Sequence, residues 1–369
     1  MKSEWKTVTI NDCADVVGDG LHGTPKYSSD GAYAFVNGNN LTNGKVVIKP
    51  DTKRVNFSEF EKYKKPLNDR TLLVSINGTL GNIAVYNGEK IILGKSACYI
   101  NVKTKYDRDF IFYTLSSPTF RNYMETNATG TTIKNFSLKQ MREYSFSLPD
   151  IAIQKRISSI LTDIDNKIAT NIEINDNLEQ QAQAIYSSMF IDNPNPAWKH
   201  GHLSDLITVK YGKDHKKLAD GIYPVYGSGG IMRYAERPLY NKESVLIPRK
   251  GTLNNVIYVN QPFWSVDTMF YTEMKIPNVA KFVYHFVKAK DLASMNAGSA
   301  VPSMTTDILN AMEVVIPSAP DLEEFESLVA PMYKAMEANH VQSQVLSRMR
   351  DTLLPKLMSG EIYVSAVQL

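Results

Sequence analysis

The chain has 369 residues, of which 43% are apolar and 21% charged, a composition typical of a folded protein long enough for two globular domains. No apolar run approaches the roughly 20 residues that span a bilayer, and the N-terminus lacks the apolar core of a secretion signal, so we expect a cytoplasmic protein with no membrane segment. The net charge is only +3, and the two cysteines, Cys13 and Cys98, form neither a disulfide framework nor a zinc-ligand spacing.

Residues 1–150 predict a mixed α/β domain with a turn-rich sheet. Apolar runs predict buried strands at Leu72–Ile76 and Ala97–Val102. The pairs Asn37-Gly38 and Asn43-Gly44 are typical of the tight turns of β-hairpins, because both residue types tolerate a positive φ.

Residues 151–192 predict a long helix. Apolar residues recur at alternating spacings of four and three, which is the seam that a helix presents to another helix. The seam positions are Ile157, Leu161, Ile164, Ile168, Asn171, Asn175, Leu178, Ala182, Ile185 and Met189. Asn171 and Asn175 alone interrupt the apolar series, and Pro149 and Pro194 bound it.

The pattern restarts over residues 193–317, which predict a second α/β domain. Ser244–Ile247 is expected to be a strand, and the sequence GIYPVYGSGGI at Gly221–Ile231 predicts a glycine-rich loop. Residues 318–369 predict a second long helix.

The second helix repeats the seam of the first. An offset of 168 gives the positions Phe325, Val329, Met332, Met336, Asn339, Ser343, Leu346, Arg350, Leu353 and Leu357. The polar pair falls at the same place in both series, and the same offset carries Gly130 onto Gly298. This agreement indicates an internal duplication. We therefore predict an α/β protein with two mixed α/β domains in tandem repeat, joined by two long helices that form an antiparallel coiled coil.

In such a coiled coil the two polar pairs would lie near one another. We expect them to fix the register of the helices, and the alternative is a frayed or water-bridged patch.

Charge is divided unevenly along the chain. Residues 1–150 hold 20 Lys and Arg against 15 Asp and Glu, and residues 193–317 hold 14 against 10. The helical segments are acidic, with 3 against 6 in 151–192 and 4 against 7 in 318–369. Basic globular domains flanked by acidic helices favour domains that face an anion such as nucleic acid.

Four stretches resemble the specificity subunit of type I restriction-modification systems. They are GIYPVYGSGGI, the paired GTLGN and GTLNN, PDIAIQKRISSILTDID at the start of the first helix, and LLPKLMSGEI at Leu353–Ile362. The resemblance covers essentially the whole chain. One departure is that the second helix, which begins APDLEEFESL, has no counterpart of Gln154. This difference weighs against identical partner contacts by the two helices.

The resemblance implies a non-catalytic subunit without a cofactor. Each globular unit would be a target recognition domain that reads one half of a bipartite site in double-stranded DNA. The long helices would act as a spacer and hold two methyltransferase subunits, and restriction or translocase subunits would join through the assembled complex.

Base reading needs hydrogen-bonding side chains on loops that can approach a groove. The candidates in the first domain are His22, Thr24, Lys26, Asn37, Asn39, Asn77, Thr79, Thr132 and Lys134. Those in the second domain are Lys213, Lys216, Tyr226, Ser228, Arg249, Lys250 and Asn254. Taken singly, most of these positions are expected to be solvated turns, and the shared GTLGN and GTLNN favour a structural turn.

Enzymatic signatures are not found in the sequence. Asn193-Pro194-Asn195-Pro196 is similar to the NPP(Y/F) motif of adenine methyltransferases, but Asn195 interrupts the match. Leu93-Gly94-Lys95-Ser96 lacks the first glycine of a phosphate-binding loop. His200 and His202 have no further metal ligands nearby. Two functions therefore remain: a DNA specificity subunit, or a coiled-coil scaffold that does not bind DNA.

Overall fold

The computed structural model describes residues 5–295, 303–362 and 364. The segment 296–302, which includes the Gly298 matched to Gly130 in the repeat, lies outside the described residues. No helix among the described residues is long and apolar enough to cross a membrane.

The chain folds as two compact units. Unit 1 combines Met1–Asn171 with Val341–Leu369, and unit 2 is Ile172–His340. Each long helix therefore contributes one half to each unit. Every buried apolar cluster among the described residues belongs to a single unit, so each unit has its own core.

Unit 1 is built on an antiparallel sheet. Its strands are β1 (Lys6–Thr9), β2 (Ala14–Asp19), β3 (Tyr33–Val36), β4 (Leu41–Thr42), β5 (Lys45–Val46), β6 (Arg54–Val55), β7 (Thr71–Ser75), β8 (Ile83–Val85), β9 (Ile91–Leu93), β10 (Ala97–Val102) and β11 (Ser145–Leu148). Its short helices are α1 (Ile10–Cys13), α2 (Phe57–Tyr63), α3 (Arg108–Ser116), α4 (Pro118–Asn127) and α5 (Leu138–Glu143). The main sheet has the order β2-β10-β7-β8, β1 pairs with β11, and β3 lies between β6 and β9.

The two central strands are buried along their whole length, as their apolar sequences predict. Every residue of β7 and β10 is buried. The polar residues within them are paired, since Thr71 Oγ1 donates to Asn101 Oδ1 over 2.7 Å. A buried polar group without a partner would cost about 1–3 kcal/mol, which this bond avoids.

Unit 2 repeats this plan. Its strands are β12 (Lys199–His202), β13 (Ile207–Tyr211), β14 (Asp220–Gly227), β15 (Gly230–Ala235), β16 (Ser244–Pro248), β17 (Ile257–Val259), β18 (Trp264–Ser265), β19 (Met269–Met274) and β20 (Glu313–Ile316), and its short helices are α7 (Leu203–Leu206), α8 (Ala280–Lys288) and α9 (Thr306–Asn310). The main sheet has the order β13-β19-β16-β17, and β12 pairs with β20. In both units a parallel pair lies beside the main sheet, β3 with β9 and β14 with β18. The structure thus confirms the duplication read from the sequence.

Two local predictions were wrong. Asn37-Gly38 does not close a hairpin: Asn37 instead caps a 3-10 turn at Gly38–Asn40. The stretch Gly221–Ile231 is not a loop, because most of it pairs as β14 and β15, with a two-residue turn between the strands. The aromatic and β-branched residues of the stretch determine this pairing, while its glycines allow the turn. Asn43-Gly44 does connect a hairpin, with φ of 50° and 78°.

The long helices are α6 (Ile151–Ser187), which ends in a π-helical turn at Ser188–Asp192, and α10 (Ala319–Met358). In unit 1 the start of α6 shares a core with the end of α10, through Ile157, Leu161 and Ile164 on one side and Leu354 and Leu357 on the other. In unit 2 the end of α6 shares a core with the start of α10. The pairing is therefore antiparallel, as the seam predicts.

The polar seam residues bond across the helix pair. Asn171 Nδ2 donates to Gln342 Oε1 (2.9 Å) and to Ser343 Oγ (3.2 Å). Asn339 Nδ2 donates to Asn175 Oδ1 (2.9 Å). These bonds form only in one register of the helices, which supports the expected role of the polar pairs.

Gln154 has an internal role. It is buried, its Nε2 donates to the Pro149 carbonyl (2.8 Å), and its Oε1 accepts from the Asp107 N–H (3.0 Å). The side chain thereby joins the start of α6 to the start of α3. The absence of an equivalent glutamine in α10 is therefore a difference in internal packing between the two units.

In unit 2, α8 is joined to both long helices through the buried imidazole of His285. The ring is 0% exposed, with Nδ1 2.8 Å from Gln183 Oε1 and Nε2 2.9 Å from the Tyr333 hydroxyl. Burial lowers the pKa of His285 from 6.5 to about 4, although the nearby Glu179 carboxylate acts in the opposite direction and the Lys288 ammonium in the same direction. The folded unit thus holds a neutral histidine.

We expect unit 2 to lose stability as the pH falls from 6.5 towards 4. The unfolded chain binds a proton in this window and the folded chain does not, which corresponds to roughly 3 kcal/mol that is present above pH 6.5. Urea unfolding followed between pH 4 and 7 measures it. His285→Gln, which retains hydrogen-bonding capacity but cannot titrate, should lack this part of the pH dependence. Identical pH profiles for the two proteins would contradict the assignment.

Candidate nucleic-acid interface

The turns at one edge of the unit 1 sheet lie close together. Ser75, at the end of β7, pairs with Ala97, at the start of β10, and Asp19, at the end of β2, pairs with Cys98. β9 ends at the same edge, because only three residues connect it to β10. We call the segments that leave the sheet here the loop edge of unit 1: residues 19–24, 37–40, 76–82, 94–96 and 129–135.

Hydrogen bonds join these segments into one surface. The Leu21 N–H donates to the Leu93 carbonyl (2.7 Å), which fixes the first segment beside the turn after β9. On the other side of that turn, Ser96 Oγ donates to Asn37 Oδ1 (2.9 Å). The turn 94–96 therefore lies between the first and second segments.

The candidates His22, Thr24 and Lys26 divide into two groups. His22 and Thr24 are exposed at the loop edge, and His22 Nε2 lies 2.5 Å from Asp19 Oδ2. Lys26 lies farther along the chain against α2, where its N–H donates to Glu59 Oε2 (2.9 Å). Lys26 is exposed, but it is not held at the loop edge.

The amides of the second segment have different roles. Asn37 is half-buried, and its side chain accepts a hydrogen bond from the Ser96 hydroxyl. It therefore holds the second segment against the turn 94–96. Asn39 is exposed in the 3-10 turn and is free to approach a groove.

Two further segments meet at the same surface. Asn77 Nδ2 donates to Asn135 Oδ1 (3.1 Å), and the N–H of the residue after Asn77 donates to the Lys134 carbonyl (3.0 Å). Thr79, Thr132 and Lys134 are exposed there. The structure thus brings together residues that are 58 positions apart in the sequence.

Unit 2 has an equivalent edge. Tyr211, at the end of β13, pairs with Phe270, and the Arg249 N–H donates to the Thr268 carbonyl (2.9 Å). The loop edge of unit 2 consists of residues 211–217, 227–230, 249–255 and 266–268. Lys213, Lys216 and Lys250 are exposed on it.

Arg249 is positioned more firmly than the lysines. Its Nη1 donates to the Asp267 carbonyl (3.2 Å), and its guanidinium lies 5.3 Å from the centre of the Tyr211 ring. A guanidinium held by a carbonyl and an aromatic ring loses less conformational freedom when it meets an acceptor.

Three predicted residues of unit 2 make contacts that are internal to the fold. Tyr226 is only 8% exposed and belongs to a buried cluster, where burial raises the pKa of its phenol. The Ser228 carbonyl accepts from Asn255 Nδ2 (2.8 Å) in the β14–β15 turn. Both polar atoms of the Asn254 side chain are hydrogen-bonded: Nδ2 donates to Asp291 Oδ1 (3.1 Å), and Oδ1 accepts from the Ala293 N–H (2.9 Å). The prediction that Tyr226 lies on a DNA-facing loop is therefore wrong, because it lies in β14 with a buried ring. Asn254 is a structural turn residue.

The cations of both edges form no ion pairs within the described part of the chain. Among the residues that the structure describes, no carboxylate forms an ion pair with Lys134, Lys213, Lys216, Arg249 or Lys250. By contrast, Lys281 and Lys288, beside the long helices, are both paired with glutamates. Unpaired cations on an open surface suit binding to phosphates.

Lys95 was missed as a candidate. The sequence Leu93-Gly94-Lys95-Ser96 does not complete a phosphate-binding loop, and the structure places Lys95, exposed, in the central turn of the loop edge of unit 1. Its position two residues after the apolar run Ile91–Leu93 was the available signal.

The duplicated fold agrees with the comparisons with known proteins. Residues 2–180 and 195–328 match the family described as "Type I restriction modification DNA specificity domain". The chain therefore belongs to this family and carries its domain twice in tandem. Its role is DNA sequence recognition in a type I restriction-modification system, and a scaffold that does not bind DNA is not supported.

Individual relatives are distant in sequence. The chain is 23% identical over 300 residues to the MjaIX specificity subunit of Methanocaldococcus jannaschii, covering 69% of each chain. It is 22% identical to the putative type I specificity subunit S.MgeORF438P of Mycoplasma genitalium, covering 96% of this chain and 93% of that one. The crystal structure of a type I S subunit from M. genitalium has the same fold, with a TM-score of 0.61 and 21% identity over 97% of both chains.

Proposed function

We propose that each unit reads one half of a bipartite DNA site through its loop edge. The observation that carries the proposal is that two equivalent edges, each with exposed and unpaired cations, recur in one duplicated chain. The cations would bind phosphates and fix the position of the duplex, while Asn39, Thr79 and Thr132 are free to meet base edges. We propose domain limits of 1–150 and 193–317 for the two readers.

In this proposal the paired helices set the spacing between the readers and carry the partner subunits. The helices are about 55–60 Å long at ~1.5 Å per residue, which exceeds the ~34 Å of one duplex turn. Val341, Val345 and Met349 recur every four residues on one exposed face of α10. Such an apolar face suits an amphipathic helix of a methyltransferase subunit. Two such subunits would attach, and restriction subunits would join the complex.

We further propose that the chain is a non-catalytic cytoplasmic subunit. Both cysteine thiols are buried, and burial raises their pKa values, to about 12 for Cys13, so neither is an activated nucleophile. Methylation and cleavage would be supplied by the partners, and this chain would contribute only the choice of site.

The double substitution Arg249→Ala and Lys250→Ala is expected to weaken DNA binding by the complex with methyltransferase subunits. If both residues contact phosphate, the slope of log K against log salt should fall in magnitude by about 2. Fluorescence anisotropy with a site-containing duplex at several salt concentrations measures this. Lys242→Ala is the matched control, because this exposed lysine lies at the opposite end of β16. Equal affinities and slopes for the double variant, the control and the parent would contradict the interface.

A further inference from the structure

The two loop edges differ in charge at one equivalent turn. In unit 1, residues 94–96 connect β9 to β10, and in unit 2, residues 266–268 connect β18 to β19. The turns correspond, because each has three residues and follows the strand that pairs in parallel outside the main sheet. The middle residue is Lys95 in unit 1 and Asp267 in unit 2, and both are exposed.

The unit 1 turn lies at the centre of its edge. The N–H of Gly38 donates to Ser96 Oγ (2.9 Å), and the N–H of Ile76 donates to the Ser96 carbonyl (2.9 Å). Gly94, on the other side of Lys95, pairs with Leu21 of the first segment. Lys95 is thus surrounded by three recognition segments and projects from a well-fixed backbone.

The unit 2 turn is held in the same way. The Val266 N–H donates to the Tyr226 carbonyl (3.0 Å), and the Asp267 and Thr268 carbonyls accept from the side chain and the N–H of Arg249. The Asp267 carboxylate makes no hydrogen bond or ion pair with any other residue that the structure describes. An acidic side chain without a structural partner therefore lies among the cations that would bind phosphate.

The chemistry of DNA restricts what Asp267 can bind. A carboxylate repels phosphate, and its favourable partner on a base edge in the major groove is the amino group of cytosine. A lysine at the equivalent place meets the O6 and N7 acceptors of guanine. Building on the function proposed above, we propose that Lys95 and Asp267 are specificity residues. Lys95 donates to a guanine in the first half-site, and Asp267 accepts from a cytosine in the second.

The test is to sequence methylated sites in cells that express the chain with its methyltransferase partners. Lys95→Ala should lower the preference for guanine at one position of the first half about tenfold or more and leave the second half unchanged. Asp267→Ala should do the same to a cytosine in the second half. Asp267→Asn, which keeps the shape of the side chain, should shift that position towards adenine, the base that an amide pairs with.

Matched controls exist in both units. Lys90→Ala removes the same charge immediately before β9, at its opposite end, and Glu236→Gln neutralises an exposed carboxylate at the far end of the β14–β15 hairpin. Both should leave the motif unchanged. If the parent chain gives a bipartite motif and the Lys95 and Asp267 variants retain it, the specificity roles are wrong while the proposed function stands. If Lys95→Ala weakens all sequences equally and lowers the salt slope by about one, Lys95 is a phosphate contact and its proposed role is overturned.

Discussion

A chain carrying Ile164→Asp should be less stable than the parent by roughly 3–5 kcal/mol, the usual cost of an uncompensated buried charge. Ile164 is 3% exposed in the core that α6 and α10 share in unit 1. The Arg350 guanidinium cannot readily neutralise the new carboxylate, because its Nη1 already donates to Asp165 Oδ1 over 2.8 Å. Thermal and urea unfolding measure the loss.

Ile172→Asp is the matched control for this prediction. The same substitution is made on the same helix, but Ile172 is 54% exposed. A surface change of this kind usually alters stability by no more than about 0.5 kcal/mol. The pairing of the helices would be contradicted by equal melting temperatures for Ile164→Asp and the parent.

Grafting a recognition domain from another specificity subunit in place of residues 198–317 should change one half of the DNA site completely and preserve the other. Each unit has its own buried core and its own loop edge, so the first reader does not depend on the second. The grafted domain should carry a phenylalanine and a histidine at the positions of Phe282 and His285, because the ring centre of Phe282 lies 4.9 Å from that of Phe190 and His285 hydrogen-bonds to the Tyr333 hydroxyl. Sequencing methylated sites measures the outcome.

The unchanged first half serves as an internal control for folding and assembly of the grafted protein. A second control returns the original residues 198–317 to the graft, which should restore the original site. If both halves of the site changed together, recognition would be shared between the units, and the modular account would be wrong.

The long helices could be predicted because their signal is local and periodic. The spacing of Ile157, Leu161 and Ile164 determines a face whatever the rest of the chain does, and the repeated seam identified the partner helix. The strands Thr71–Ser75 and Ala97–Val102 could also be predicted from the sequence, since strands buried on both sides read as continuous apolar runs.

The loop edges were only partly predictable, because long-range pairing decides which turn residues are exposed. Asn37 and Asn39 look alike in the sequence, yet Asn37 accepts a hydrogen bond from Ser96, 59 residues away, and Asn39 is exposed. Tyr226 lies in a glycine-rich stretch that reads as a loop, but pairing with β15 and β18 buries its ring. Asp267 offered no sequence signal, since its proposed role depends on a turn whose position is set by three other segments.

The most direct measurement is to map methylated positions across the genome of cells that contain the methyltransferase partners, with and without this chain. The account predicts one two-part motif that appears only with the chain, in which two specified halves flank a gap of fixed length and unspecified sequence. A single uninterrupted motif, or a pattern of methylation that does not depend on the chain, would contradict it.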